Sequence, residues 1–314
     1  MAGEHRVVAV VVTWNRRDLL EESLEALEKQ HRPPDRVVVV DNCSTDGTAD
    51  MVRERHPHVD LVTLATNTGG AGGFAVGIRH ALAADADLLW LMDDDTVPEP
   101  SALEAAIEAY DGYPGDTRPS LVASRVVWTD GRPHPMNTPR RKPGARRGEL
   151  DAAAAVGSIP VRSASFVSVL VDAARVRERG LPMAAYFLWN DDFEYTTRLI
   201  RGGRGIICPA SVAVHKTKVF GATEADPGER FYFEVRNKVW TLARSRGLSV
   251  PEKVMYGGSA VRRWARTFAG SDDRRTLLRG LRRGLADGVR TAPTPTEDIL
   301  AGLRTPPREP GTTR

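Results

Sequence analysis

Leu88-Leu89-Trp90-Leu91-Met92-Asp93-Asp94-Asp95-Thr96 sets five apolar residues directly before three acids. The apolar run suits a fully buried strand. Three adjacent carboxylates do not suit a core, because unpaired buried charge is very costly. The two halves are reconciled by a central strand whose carboxyl end opens into a cleft holding something cationic. A divalent cation fits: Mg²⁺ and Mn²⁺ take carboxylate oxygens and bridge them to a substrate diphosphate. Alternation along an extended chain points Asp93 and Asp95 together and Asp94 away. The plainer alternative is an acidic turn after a strand.

Working outward, strand and helix alternate around this stretch. Val7 to Thr13 is a β-branched strand, and Asn15 is a candidate N-cap for a helix carrying Leu19, Leu20, Leu24 and Leu27. Arg36 to Val40 is a second strand ending in Asp41-Asn42. Val59 to Leu64 is a third, followed by the loop Asn67-Thr68-Gly69-Gly70-Ala71-Gly72-Gly73 and a helix through Ala81. Such alternation predicts right-handed βαβ crossovers and a mostly parallel sheet. Ligands of these sheets bind outside the carboxyl ends of the strands. Thr13 and Asn15, Asp41, Asn67 and the acid triplet all fall at that rim. The glycine loop is neither a dinucleotide fingerprint nor a P-loop. It serves either tight helix packing or a close backbone approach to a ligand.

Composition bounds the rest. The chain has 314 residues, 41% hydrophobic and 27% charged, with a net charge of +3. This is an ordinary globular composition and gives no case for general nucleic-acid binding. Two cysteines, Cys43 and Cys208, argue against a disulfide framework and for a reducing, cytoplasmic setting. Met1 to Arg6 is polar with no apolar run behind it, so no leader is expected. No apolar run approaches the roughly 20 residues that span a bilayer.

Asp111 to Ala155 is rich in Pro, Gly and Arg. It is expected to hold a strand near Leu121 to Trp128 and then a long irregular segment. The basic residues Arg140-Arg141-Lys142 and Arg146-Arg147 are expected on a solvated loop. A strand over Ser165 to Val171 and a helix over Asp172 to Gly180 follow. Trp189-Asn190-Asp191-Asp192-Phe193-Glu194 is a second acidic constellation, read either as a helix start or as a general base tuned by aromatic neighbours. Ile206 to Val214 is a last strand, ending at His215, a candidate metal ligand. Near the C-terminus, Arg274 to Arg290 interleaves arginines with Leu277, Leu278, Leu281, Leu285 and Val289. It is either a helix packing its apolar stripe on the domain or a basic amphipathic helix at an anionic membrane surface.

Taken in order, Thr13-Trp14-Asn15-Arg16, Asp41-Asn42-x-Ser44-x-Asp46-Gly47, Asn67-x-Gly69-Gly70, Asp93-Asp94-Asp95, Asn190-Asp191-Asp192-x-Glu194 and His215 resemble the inverting family 2 glycosyltransferases of GT-A fold. The nearest branch contains the galactofuranosyl- and rhamnosyltransferase-like enzymes of bacterial cell-envelope polysaccharide biosynthesis. The run Phe231 to Asn237 is similar to an aromatic-Arg-Asn helix of that branch.

The resemblance implies a GT-A catalytic domain over 1–225, its nucleotide-binding half over about 1–98 and its acceptor half over about 99–225. A helical region over 226–290 and an unstructured tail over 291–314 complete the chain. It further implies that Asp41 binds the base or ribose of a UDP- or dTDP-linked sugar, and that Thr13, Asn15, Arg16, Asn67 and Gly70 line the donor side. Asp94 faces the donor ribose or sugar. Asp93, Asp95 and His215 hold Mn²⁺ or Mg²⁺. Asp192 is the base, with Asp191 as the alternative, and Trp189 and Asn190 line the acceptor side. The acceptor is a glycan, a lipid-linked sugar or a small molecule, met in the cytoplasm or peripherally at the inner face of the membrane. UDP-galactofuranose is the leading donor and dTDP-rhamnose the second. A nucleotidyltransferase would carry a Gly-rich basic loop where Trp14 to Arg17 stand. A non-catalytic glycan- or nucleotide-binding module has no use for both sets of acids.

Overall fold

The computed structural model describes residues 5–135, 137–218, 220 and 226–303. The first half follows the alternation: β1 (Val7–Thr13), α1 (Arg17–Glu28), β2 (Arg36–Asp41), α2 (Thr48–Arg55), β3 (Asp60–Thr63), α3 (Gly69–Ala83) and β4 (Leu88–Asp93). These strands lie in the order β3-β2-β1-β4 and pair in parallel. Period-two alternation splits β1 between two cores. Val8, Val10 and Val12 pack toward α3, and Val7, Ala9 and Val11 toward the α1 side. The register sets Asp41 beside Thr13 and Asp93 beside Val12, so the polar strand ends form one rim.

The second half comprises β5 (Thr96–Pro98), α4 (Ala102–Asp111), β6 (Leu121–Val127), β7 (Arg140–Arg141), α5 (Arg147–Ala155), β8 (Ile159–Ser163), β9 (Val169–Asp172), α6 (Ala173–Arg179), α7 (Asp191–Ile200) and β10 (Gly205–His215). The sheet continues as β4-β9-β6-β10-β8-β7. Here it departs from the parallel expectation: β9 runs antiparallel to both β4 and β6. A run of apolar residues marks β9 as buried but carries no direction, so the sequence holds no ground for either sense. The segment expected to be irregular carries β7, α5 and β8, with the Lys142 ammonium 2.6 Å from the buried Glu149 carboxylate.

The C-terminal region is helical: α8 (Phe231–Arg244), α9 (Val250–Gly270), α10 (Arg274–Arg290) and α11 (Thr296–Gly302). In α10 the packed face takes only part of the leucine stripe, Leu277 and Leu281, and is completed by glycines. Leu277, Gly280, Gly284 and Gly288 are buried against α8, while Leu278, Leu285 and Val289 stay exposed. A Cβ at Gly284 would sit 2.8 Å from the Val235 side chain and 2.9 Å from the Tyr232 carbonyl, so glycine sets how closely the helices approach. The tail expected to be unstructured is corrected at α11. Leu300 is buried in the α3-side core, and Thr296 Oγ1 donates to the Pro182 carbonyl at 2.7 Å. Residues 304–314 of that tail lie outside the described residues. Among the described residues no helix is long and apolar enough to cross a membrane.

Candidate active site

The chain turns at Asp94-Asp95 instead of extending, so alternation is not what brings Asp93 and Asp95 together. The turn feeds β5, which pairs antiparallel with β10 and sets Thr96 opposite His215. Asp93, Asp95 and His215 thereby offer ligand atoms all within 4.8 Å of one another. His215 Nε2 lies 3.0 Å from Asp95 Oδ1, an oxygen with no assigned hydrogen bond among the described residues. Nδ1 of the same ring is 2.8 Å from Asn137 Oδ1. With Nδ1–H donating to that oxygen, the Nε2 lone pair faces a carboxylate oxygen, and a shared cation resolves the clash. Outer hydrogen bonding of this kind is typical of metal-bound imidazoles. The donor set fits a divalent cation.

Charge crowding shapes these acids. Burial and then Asp95 and Asp94 hold the Asp93 carboxyl well above the usual range. Burial pushes Asp94 up to about 6, against the pull of Arg16. Burial also acts on Asp95, but His215, when its ring also carries the Nε2 proton, and Arg16 more than offset it and hold its carboxyl low. The Arg16 guanidinium bonds Asp95 and lies 3.2 Å from Asp94 Oδ1.

The donor-side residues meet at the strand ends. Thr13 and Asp41 are buried; among the described residues Asp41 Oδ2 has no hydrogen-bond partner, and the Thr13 hydroxyl has at most a marginal one at Asp94. Asp41 Oδ1 accepts from the Ser44 N–H at 3.0 Å. Asn15 is not the expected N-cap. It sits at φ 52°, the helix starts after Arg16, and Asn15 Oδ1 accepts from the Thr45 N–H at 2.7 Å. A left-handed residue that ties two loops together cannot also cap α1. Asn67 Oδ1 accepts from the Gly69 N–H at 2.7 Å, which commits it to its own turn. For most of the glycine loop the packing reading holds: a Cβ at Gly69 would lie 2.0 Å from the Phe187 carbonyl oxygen, and one at Gly73 2.4 Å from the Val12 side chain. Gly70 faces open space and owes nothing to packing. Trp14, 50% exposed at the same rim, is an apolar surface that sequence reading left without a role.

Asp191 and Asp192 open α7, where the helix N-terminus favours acids. The preceding turn is unusual: Phe187, Trp189 and Asn190 all have φ 64°. Non-glycine residues enter this region only when their surroundings enforce it. The enforcing residue is Asn237 of α8, whose side-chain Nδ2 donates to the carbonyls of Tyr186, Leu188 and Trp189, each at 2.8 Å. Arg236 donates to the carbonyls of Ala185 and Tyr186, and Asn190 Nδ2 to Glu234 Oε2 at 2.7 Å. The sequence marked the aromatic-Arg-Asn run but gave no sign of this clamp.

Burial and the neighbouring Asp192 push Asp191 up to about 8, and burial raises Asp192. The two differ in outlook. Asp191 adds to the charge felt by Asp93, whereas Asp192 lines a cavity of about 500 Å³ with Asn137, Trp189, Asn190 and Glu234. Asn137 thus belongs to the cavity wall and holds His215. Glu194, the third acid, is structural: it is fully buried and bonded by Arg198 and Ser245.

Solved structures share this architecture. The chain is similar to S. aureus TarS 1-349 in complex with UDP-GlcNAc (TM-score 0.61, 18% identity, 90% of this chain and 81% of that one). It is also similar to mannosyltransferase PcManGT from Pyrobaculum calidifontis in complex with GDP-Man and Mn²⁺ (TM-score 0.55, 20% identity, 96% and 79%). The class is therefore a GT-A-like α/β fold with a helical C-terminal region. The chain belongs to glycosyl transferase family 2, whose model matches residues 8–170. Galactofuranosyltransferase GlfT1 of Mycobacterium tuberculosis is 31% identical over 270 residues, 80% of this chain and 87% of that protein. GlfT1 of Mycolicibacterium smegmatis is 34% identical over 203 residues, 63% and 66%. The N-acetylglucosaminyl-diphospho-decaprenol L-rhamnosyltransferase of M. tuberculosis is 29% identical over 153 residues, 46% and 48%. The protein is a hexosyl-transferring glycosyltransferase of an inverting family.

Proposed function

We propose that the protein transfers galactofuranose from UDP-galactofuranose to an acceptor hydroxyl in cell-envelope polysaccharide assembly, with Asp192 as general base. The carrying observation is the pair of acidic constellations: Asp93, Asp95 and His215 gathered at the strand ends, and Asp192 on a cavity whose wall includes Asn137, the residue bonded to His215. Asp93, Asp95 and His215 would hold the divalent cation, and one imidazole among oxygen donors favours Mn²⁺ over Mg²⁺. When bound, the cation supplies charge neutralisation for a diphosphate leaving group.

The protein's own residues do the rest. Asp41 presents an unpaired oxygen and Thr13 its hydroxyl to the nucleoside, and Arg16 adds positive charge beside the phosphates. Asp94 faces the donor ribose or sugar. Asp192 accepts the acceptor hydroxyl proton as that oxygen attacks the anomeric carbon, and a single displacement inverts it. Burial raises the Asp192 carboxyl and so brings its basicity nearer the operating pH. Trp189 and Asn190 wall the acceptor side. The exposed Leu278, Leu285 and Val289, set among arginines on α10, would rest on an anionic membrane surface near a lipid-linked acceptor.

Coverage of the GlfT1 chains is broader than that of the rhamnosyltransferase, which favours galactofuranose. The test supplies UDP-galactofuranose and dTDP-rhamnose in parallel to the purified protein with sugar-terminated acceptors. Released nucleotide and product anomeric configuration are read. UDP release with an inverted product is expected. Release of dTDP alone transfers the assignment to rhamnose, and retention of configuration refutes the single displacement.

A further inference from the structure

Lys238 is anomalous. It is 4% exposed in α8, yet it makes no hydrogen bond or ion pair among the described residues, and its recorded contact is the face of Phe193, 4.6 Å away. A buried ammonium without a hydrogen-bonding partner is costly. Arg162, almost equally buried, shows the usual solution: it bonds Glu252 and the carbonyls of Thr197 and Gly247. Lys238 instead lines the 500 Å³ cavity beside Asp192.

Its neighbours there are just as uneven. The Arg140 side chain makes no hydrogen bond or ion pair among the described residues, and its guanidinium carbon lies over two rings, 5.5 Å from Phe193 and 5.8 Å from Tyr256. Arg140 is exposed, as expected, but it stands on β7 at the rim of this cavity rather than on a loop. The acids around the cavity are already engaged. Glu234 accepts from Arg263, Asn190 and Trp264. Asp226 accepts from Ser271 and the Gly228 N–H, and Asp192 from the Phe193 N–H at 2.6 Å. Lys238 and Arg140 thus lack a hydrogen-bonding partner among the described residues, although the charges of Glu234 and Asp192 act on Lys238, while these carboxylates have their hydrogen bonds.

We propose that this cavity is a subsite for an oxyanion group of the acceptor, a phosphate or a carboxylate, seated between the Lys238 ammonium and the Arg140 guanidinium. Three N–H donors on Lys238 and the planar fork of Arg140 match the acceptor oxygens of such a group. The assignment deepens the transfer reading above and rests on it: Asp192 lies on the same cavity, so the anion orients the acceptor whose hydroxyl Asp192 deprotonates.

The test loads the full-length protein with UDP and Mg²⁺, which occupies the donor side and keeps the probe from the metal cluster. Inorganic phosphate and acetate are then titrated separately by calorimetry. Saturable binding of one of them is expected, weakened at least tenfold in Lys238→Met and kept within about threefold in Lys238→Arg. Stronger binding of phosphate or of acetate tells which oxyanion the acceptor carries. An unchanged UDP-induced rise in melting temperature shows that the variant is folded. If Lys238→Met does not fold, the exposed Arg140→Gln serves, with at least a threefold loss expected. No saturable binding of either anion, or affinity indifferent to these substitutions, overturns the subsite. Absence of UDP binding in the wild type instead overturns the transferase reading, so the two failures are distinct.

Discussion

Replacing Asn237 by alanine separates the clamp from the chemistry it holds. The Asn237 amide nitrogen reaches three carbonyls at 2.8 Å from a fully buried position. It has two N–H groups, so the arrangement counts as about two hydrogen bonds, each worth roughly 0.5–1.5 kcal/mol net. The carbonyls left short of donors raise the cost to about 2–4 kcal/mol. Holding Phe187, Trp189 and Asn190 at φ 64° costs on the order of 1–3 kcal/mol per residue, roughly 3–9 kcal/mol together, so the clamp offsets a good part of the strain and surrounding packing the rest. Without the clamp the turn relaxes, and α7 with Asp191 and Asp192 at its first positions shifts. A misplacement of about 1 Å costs roughly 10²-fold in rate. The expected result is a hundredfold fall in kcat with the donor KM within about threefold, because β1, β2 and β4 are untouched. Steady-state kinetics of nucleotide release and urea unfolding measure the two effects. A kcat within threefold of wild type, alongside the predicted loss of stability, would falsify the link between the clamp and catalysis.

Three further outcomes follow from the same geometry. Asp192→Asn should lower kcat by about 10²–10⁴-fold and leave UDP binding intact; the larger loss appearing in Asp191→Asn instead would reverse the assignment of the base. Gly69→Ala should cost several kcal/mol and impair turnover, since its Cβ would lie 2.0 Å from the Phe187 oxygen at a backbone φ of +68°; wild-type melting would contradict this contact. Glu252 is raised by burial, but hydrogen bonds from Arg162 and Ser249 lower it on balance to about 2 from its ordinary 4.5. A depressed carboxyl stabilises the fold above its unfolded pKa and loses that contribution as pH falls toward the folded one. The stability gap between wild type and Glu252→Gln should therefore be full at pH 7 and close between about pH 4.5 and 2; a gap independent of pH would refute the pairing.

The parallel half of the fold is legible because each of its strands is a short apolar run with a polar residue at its carboxyl end. Asp41, Asp93 and Asp95 could be picked out by that pattern alone. The candidate metal cluster needed His215, which sits at a strand end 120 residues beyond Asp95. Its partner Asn137 lies in a segment whose composition signals only a loop. The direction of β9 was not legible, since alternation of apolar residues carries no strand polarity. The α10 face was only partly legible for a physical reason: glycine is a poor helix former, yet three glycines at four-residue spacing are what let α8 approach. Lys238 escaped notice, and Asn237 was marked only as part of a family-like run, because their importance comes from what they touch, or fail to touch, once α8 docks on the strained turn.

The most direct test of the central claim is the UDP-induced rise in melting temperature, measured with Mn²⁺ and with EDTA, for wild type, Asp95→Ala and His215→Ala. A ligand that binds only the folded state raises the melting temperature by mass action. The account predicts a rise that requires Mn²⁺ in the wild type and is lost in both variants. An equal rise in EDTA, or an undiminished one in both variants, would contradict it.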